Sequence, residues 1–445
     1  MSSILAIPEI QALEGRTGLL RIPQEIDVPL TPRVRQIIDA ADFHRLAHIS
    51  QLGLVSLVYP AAHHMRFEHS LGVYRMALLY LRQLAMDPRF RSVISASDGE
   101  TLIAAALLHD LGHWPFCHPI EDMQLPGVSS HEFYANRFLL EGEIAQTLRD
   151  KWHIQPNTVV SLLSEKPNNT SSKILKSILS GPVDIDKVDY LMRDSLHAGV
   201  PYGRNFDHQR LIASLTLNES GDGLAITEKG RTAAELMVFA RYVMFSEVYW
   251  HHTVRAATAM LQRAFYFLHT DMNLDQLFRL TESSFITQCL IHAEQNPARE
   301  LLQGLFGSKR QLYKRVAQYS CFQQNDIYRR LARQPYSWLT ACGTSLSEIL
   351  SHRLGQQVEP HKILVDAPPV KREIEFNIEV HFPKENCFRQ LADVSPVVQA
   401  LAHQQFDDYV KRVRIFTHPD LSDACHKIHD LDRLVEQAIE RVNQL

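Results

Sequence analysis

The chain has 445 residues, 45% of them hydrophobic and 22% charged, a usage that excludes a disordered, collagen-like or coiled-coil chain and leaves room for two or three domains. Lys and Arg number 46 against 50 Asp and Glu, and the resulting net charge of −4 excludes the broad basic surface of a general nucleic-acid binder. Apolar runs such as Leu102 to Leu108 stop far short of the roughly 20 residues that cross a bilayer. The N-terminal stretch lacks the basic and apolar regions of a signal peptide; no membrane association is expected, and the cytoplasm is the expected compartment.

From Pro32 to about Thr270, apolar residues recur at three- and four-residue spacing between Gly and Pro breaks, which predicts helices, among them Leu71 to Met86 and Glu100 to His109. Ser214 to Thr227 alternates apolar and polar residues around Gly221-Asp222-Gly223 and predicts a hairpin, a small surface ribbon. Helical periodicity then continues to about Gly355. Lys362 to Phe382 and Val410 to Phe416 read as strands, with Pro368 and Pro369 as breakers, and one amphipathic helix is predicted from Asp420 to Leu445. The expected fold is mostly α: a helical domain over residues 1–270 carrying the hairpin, then a smaller α+β domain over 271–445.

The six cysteines are scattered without a CxxC pair, as reduced thiols are. The 23 histidines are the unusual feature, and they crowd between residues 44 and 131. His109 and Asp110 close an apolar helix; neighbouring helical positions point about 100° apart, so one ion beside the helix can be reached by both. Imidazole and carboxylate together suit Mn, Fe, Mg, Zn, Ni or Co. An isolated His-Asp pair is more often a core histidine bonded to a carboxylate, but two further segments supply ligand types in apolar settings. One runs His63-His-Met-Arg-Phe-Glu-His-Ser70, and the other runs Asp184-Ile-Asp-Lys-Val-Asp-Tyr-Leu-Met-Arg-Asp194. On an ideal helix with Asp186 at zero, Tyr190 falls at about 40°, Asp194 at about 80° and Lys187 at about 100°. That strip suits a nucleotide, whereas Asp189 and Arg193 read as a solvated face with weak surface pairs. Arg241, Phe245, Tyr249 and His252 share one helical stripe that suits a pocket wall.

These motifs, Arg66-Phe-Glu-His-Ser-Leu-Gly-Val73, His109-Asp-Leu-Gly-His-Trp-Pro-Phe-Cys-His118 and the Asp184–Asp194 run, resemble those of the HD-domain phosphohydrolases. More narrowly, they resemble the deoxynucleoside triphosphate triphosphohydrolases, over residues 20 to 265. The resemblance implies a helical HD-type domain in which a divalent metal ion is held by His69, His109, Asp110 and Asp186. It assigns catalytic or phosphate-facing roles to His113, His118 and His131, and Glu132 is expected to orient and charge His131. It places Arg66, Lys187 and Arg241 on the phosphates and Tyr190 against the sugar. Asp194 and Gln51 are placed on the 3′-hydroxyl and Leu52 where a 2′-hydroxyl would crowd, and Tyr249 is counted with the substrate wall.

The chain departs from the family pattern at several points. Phe245 and Trp250 stand where the best-known animal member carries polar pocket residues, Glu121 replaces an aspartate, and Ala47 stands where that member uses an arginine to grip an activating guanine, so activation by GTP is not expected. No SAM domain is expected ahead of residue 20. The implied reaction is hydrolysis of a deoxynucleoside triphosphate to deoxynucleoside and inorganic triphosphate by a homo-oligomer. The same centre would also serve a phosphodiesterase or nuclease on single-stranded nucleic acid or another nucleotide, which the mild acidity does not favour. A nucleotide-binding scaffold without turnover would be expected to have lost ligands.

Overall fold

The computed structural model describes residues 3–15, 18–24, 26–370, 377–403 and 410–444. It is mostly α, with a helical core and a mixed C-terminal region, as the periodicity predicts. Among the described residues no helix is long and apolar enough to cross a membrane.

Two long helices form the centre. Helix α1 (Arg66–Leu84) and helix α2 (Ala96–Leu108) pack together, and α2 opens on a capping box in which the Ser95 and Asp98 side chains satisfy each other's backbone N–H groups. Every residue from Thr101 to Leu108 is buried, so α2 is enclosed on all sides and its C-terminal end is held fast. After it come the short α3 (Cys117–Glu121), α4 (His131–Leu139) and α5 (Ile185–His197), which lies on α1. Gly72 permits that contact, since a Cβ there would run into the Asp189 and Arg193 side chains. Further along, α6 (Arg231–Met244) and the almost wholly buried α7 (His252–Leu268) close the helical part.

The predicted helix from Arg241 through His252 is interrupted. Helix α6 ends at Met244, one π turn spans Phe245–Tyr249, and Trp250 and His251 are non-helical before α7 begins at His252. A π turn rotates the stripe out of register, so His252 leaves the wall that Arg241, Phe245 and Tyr249 share.

The strands show how the C-terminal region is tied in. Strands β1 (Leu19–Ile22) and β2 (Ile26–Pro29) form a two-stranded ribbon. Strands β3 (Leu215–Leu217) and β4 (Leu224–Thr227) form the predicted hairpin, but Leu215, Leu217, Leu224, Ala225 and Ile226 are buried. Strand β5 (Lys314–Tyr319), in a stretch read as helical, and β6 (Ile363–Asp366), within a predicted strand, precede β7 (Glu379–Phe382) and β8 (Cys387–Gln390). Of these, β5 is the departure from the helical expectation. The hairpin is no surface ribbon, because β7 pairs in parallel with β4 in a sheet of order β3-β4-β7-β8, and Val380 and Phe382 join the main core. A second sheet has order β5-β9-β6, with β9 at Val413–Thr417. The predicted strand after Pro369 falls partly on residues 371–376, outside the described residues. The predicted terminal helix is two helices, α8 (Pro419–His426) and α9 (Leu431–Asn443), separated by a short turn.

Candidate active site

Three chain segments that are distant in sequence converge on one point. His69 comes from the first turn of α1, His109 caps the C-terminus of α2 with Asp110 just beyond it, and Asp186 comes from the first turn of α5. His69 Nε2 lies 3.3 Å from His109 Nε2, 3.1 Å from Asp186 Oδ1 and 4.0 Å from Asp110 Oδ2. His109 Nε2 lies 3.4 Å from Asp110 Oδ1 and 3.9 Å from Asp186 Oδ1. Around an ion with bonds of about 2.1 Å, neighbouring ligand atoms sit about 3.0–3.4 Å apart, so the spacing fits an ion with little adjustment.

The other nitrogen of each imidazole is occupied. His109 Nδ1 donates to the Ala106 carbonyl at 2.9 Å, and His69 Nδ1 donates to Asp189 Oδ2 at 2.8 Å. Both partners turn the Nε2 atoms toward the common point, the arrangement usual for metal-ligating histidine. Burial disfavours charge on His69, but Asp186, Asp189 and Asp110 outweigh it and push its pKa up to about 10. The pocket therefore calls for positive charge between these side chains, and the donor set fits a divalent cation.

Asp189 and Arg193, expected on a solvated face, are each 3% exposed. Arg193 donates to both Asp189 oxygens, from Nε at 2.9 Å and from Nη2 at 2.7 Å, and its Nη1 reaches Glu68. Asp186 and Asp189 are one helical turn apart, which places both carboxylates along one edge of α5, where they grip opposite nitrogens of the same imidazole. Burial works against the Asp189 charge, yet Arg193 and His69 hold its carboxyl well below the usual carboxylate range.

A second cluster adjoins the first. His113 Nδ1 lies 3.1 Å from Asp110 Oδ1, and its ring lies 3.9 Å from that of His131. Gly112 makes this possible, because the first turn of α4 presses on it and a Cβ would meet the His131 carbonyl. Burial, with Arg66 adding to it, pushes the His113 pKa well down. The carboxylate that grips His131 is Glu121 rather than the expected Glu132. Both Glu121 oxygens lie 2.9 Å from His131 Nδ1, and Glu121 Oε1 also accepts from the His131 backbone N–H, while Glu132 stands 3.5 Å from Nε2. The glutamate arm, one methylene longer than an aspartate, spans from α3 to the start of α4. Burial alone would lower the His131 pKa, but Glu121, helped by Glu132, raises it. His118, with its side chain 61% exposed, stands 3.7 Å from Glu121 at the mouth.

Both clusters open into one cleft of about 870 Å³. Its walls include Gln51, Leu52, Arg66, Lys187, Tyr190, Asp194, Arg241 and Tyr249. Arg66 donates to Asp110 Oδ2 at 2.8 Å, and Lys187 is drawn back to Asp184 and the Gly181 carbonyl. Asp184 is pushed by burial, against the pull of Lys187, up to about 6. The Arg241 guanidinium is 5.6 Å from the centre of the Phe245 ring. Asp194 is engaged on both sides, with His64 Nε2 at 2.9 Å and the Tyr249 hydroxyl donating at 2.6 Å. His64 in turn stacks on His197 at 4.3 Å. The Oε1 of Gln51 is buried with no hydrogen-bond partner among the described residues. His64, His197 and Glu68 carry no role in the sequence reading, because a polar residue turned inward looks the same in periodicity as one turned outward.

An HD domain profile matches residues 66–178, and an HD associated region matches residues 206–432. The chain is 32% identical over 380 residues to an uncharacterized protein of Methanocaldococcus jannaschii, covering 84% of this chain and 74% of that protein. It is 26% identical over 353 residues to the deoxynucleoside triphosphate triphosphohydrolase SAMHD1 of Gallus gallus, covering 67% of this chain and 56% of that enzyme. A solved structure of a hypothetical protein from Aquifex aeolicus superposes with a TM-score of 0.72 at 27% identity, covering 92% of this chain and 98% of that one.

Proposed function

This chain belongs to the HD-domain phosphohydrolases, and from that premise we propose that it hydrolyses deoxynucleoside triphosphates to the deoxynucleoside and inorganic triphosphate. The carrying observation is the pair of Nε2 atoms 3.3 Å apart, flanked by Asp110 and Asp186 and opening into a cleft wide enough for a nucleotide. A divalent ion held by His69, His109, Asp110 and Asp186 supplies Lewis acidity for a phosphoryl oxygen and activates water.

The chain's own residues do the rest. Oxygen from water joins the α-phosphorus, the bond to the 5′-oxygen breaks, and that oxygen needs a proton as it leaves. His131, kept protonated to higher pH by Glu121, is the donor, a contribution of roughly 10²- to 10⁴-fold; His118 is the alternative at the mouth. Arg66, Lys187 and Arg241 face the triphosphate, and for Arg66 and Lys187 this means sharing guanidinium or ammonium hydrogens with Asp110 and Asp184. Gln51 Oε1, without a hydrogen-bond partner among the described residues, is ready to accept from a sugar hydroxyl, beside Leu52 and Tyr190. Among relatives, the enzyme of Gallus gallus is named for this activity.

The test is to incubate metal-loaded protein with each deoxynucleoside triphosphate and to separate the products by ion chromatography. Deoxynucleoside and inorganic triphosphate in equal amounts are expected, and Arg241→Ala is expected to weaken substrate binding more than turnover. Pyrophosphate or monophosphate as the product, or no product with metal bound, would overturn the proposal.

A further inference from the structure

The reaction above gives no role to two side chains that lie beside His131, those of His113 and Cys117. Cys117 is 1% exposed at the start of α3, and one ligand-type atom each from His113, Cys117 and His131 lies within 4.8 Å of the other two. The backbone brings them together. Phe116 turns through the left-handed region at φ 56°, which swings Cys117 back toward His113, and the close approach of α4 to Gly112 sets His131 opposite.

His113 carries a second, independent sign. Its Nδ1 faces the Asp110 carboxylate at 3.1 Å and the Asp110 carbonyl at 3.3 Å. That leaves Nε2 buried without a hydrogen-bond partner among the described residues, on a residue 3% exposed. A bare nitrogen lone pair in such surroundings is costly unless a donor or a Lewis acid meets it.

We propose that His113, Cys117 and His131 form a second metal site that takes a thiophilic ion, Zn²⁺ in preference to Mg²⁺ or Mn²⁺, and that its occupation stops the reaction. Two imidazoles and a thiolate are a zinc donor set, whereas Mg²⁺ and Mn²⁺ favour oxygen ligands. Binding forms the metal–sulfur bond and releases the thiol proton to solvent. Asp110 supports both sites, since the oxygen that lies near His109 also holds His113 Nδ1. An ion on His131 removes the proton donor from the leaving oxygen. The inhibition therefore rests on the proposed reaction, but the binding does not.

The experiment uses the full chain with Mn²⁺ in the first centre, titrated with Co²⁺ and then Zn²⁺. One equivalent of Co²⁺ is expected to raise a thiolate-to-cobalt charge-transfer band that Zn²⁺ abolishes. Cys117→Ser and Cys117→Ala should both lose the band while their circular dichroism and melting are retained, and Asp186→Ala, which disables the first centre, should keep it. The Zn²⁺ concentration for half-inhibition should rise by about tenfold or more in Cys117→Ser, with uninhibited turnover unchanged. No band in the parent protein, or a band that survives both Cys117 replacements, would overturn the proposal. Zn²⁺ inhibition that persists unchanged in Cys117→Ser would do the same, placing the ion instead on His118, Glu121 and His131, which also lie within 4.8 Å of one another. If no triphosphate is ever released, the band still decides whether the site exists.

Discussion

The two halves of the active site are built on different principles although they share Asp110. In the His69–His109–Asp110–Asp186 centre each ring has its outer nitrogen occupied, by Asp189 or by the Ala106 carbonyl, and Asp110 is held by Arg66. The positions are over-determined by buried helices. In the His113–His118–His131 cluster, two of three rings depend on a single carboxylate, Glu121, and one of them reaches the cleft mouth. A group that holds an ion gains from rigidity, whereas a group that passes a proton must face its substrate, and the difference in support follows from that.

The largest effect should come from breaking the rigid half. Asp186→Ala or His109→Ala removes a ligand atom from the shared point, and metal content by elemental analysis should fall together with turnover, by at least about a thousandfold. Retained turnover in a metal-free Asp186→Ala protein would show that the centre is not where the chemistry happens. Asp189→Asn comes next. It keeps the shape but weakens the acceptor for His69 Nδ1 and leaves Arg193, among the described residues, with Glu68 as its charged partner. Metal affinity measured by chelator competition should drop about 10- to 100-fold, and the melting temperature should fall, because a buried pair has lost one charge.

Asp189 also shows where the sequence stops being legible. The motif-bearing segments and the helices that carry them can be read directly, because ligand-type residues interrupt apolar runs and helical spacing is local. Asp189 and Arg193 stand in the same run as Asp186, yet periodicity cannot tell a water-facing polar residue from one turned against a buried imidazole. The useful signal was two carboxylates three apart, a spacing that lets one helix clamp both nitrogens of one ring. Strand β5 and the parallel join of β4 to β7 were hidden for another reason. Their partners lie far along the chain, and no local window contains the pairing that turns Lys314–Tyr319 into a strand. The π turn at Phe245–Tyr249 is a change of one residue in register, below what a periodic pattern resolves.

The half that leans on Glu121 should respond to pH. With Glu121 present, His131 keeps its proton to higher pH than an ordinary histidine, so turnover that needs the protonated ring falls as pH rises through that raised value. Glu121→Gln removes the main raising influence, and the alkaline limb of the kcat profile should move to lower pH, with a loss of about tenfold or more on the alkaline side and little at acid pH. Glu132→Gln should move the same limb less, since its carboxylate stands farther from the ring. Equal shifts for the two variants, or a larger one for Glu132→Gln, would restore Glu132 as the partner that sequence reasoning favoured.

The smallest effect should come from the wall opposite the chemistry. The Tyr249 hydroxyl donates to Asp194 Oδ2 at 2.6 Å, and His64 holds the other carboxylate oxygen at 2.9 Å. Tyr249→Phe removes one donor but leaves the ring in place and the carboxylate paired on its far side, a loss of about 1 kcal/mol of stability by chemical denaturation. The freed oxygen then faces a cleft in which a sugar hydroxyl can replace the phenol, so KM should change only a few-fold, about the worth of one neutral hydrogen bond, while kcat stays the same. A fall in kcat without a change in KM would mean that Asp194 and Tyr249 act on the reacting atoms, and the division between a wall that binds and a cluster that moves protons would have to be redrawn.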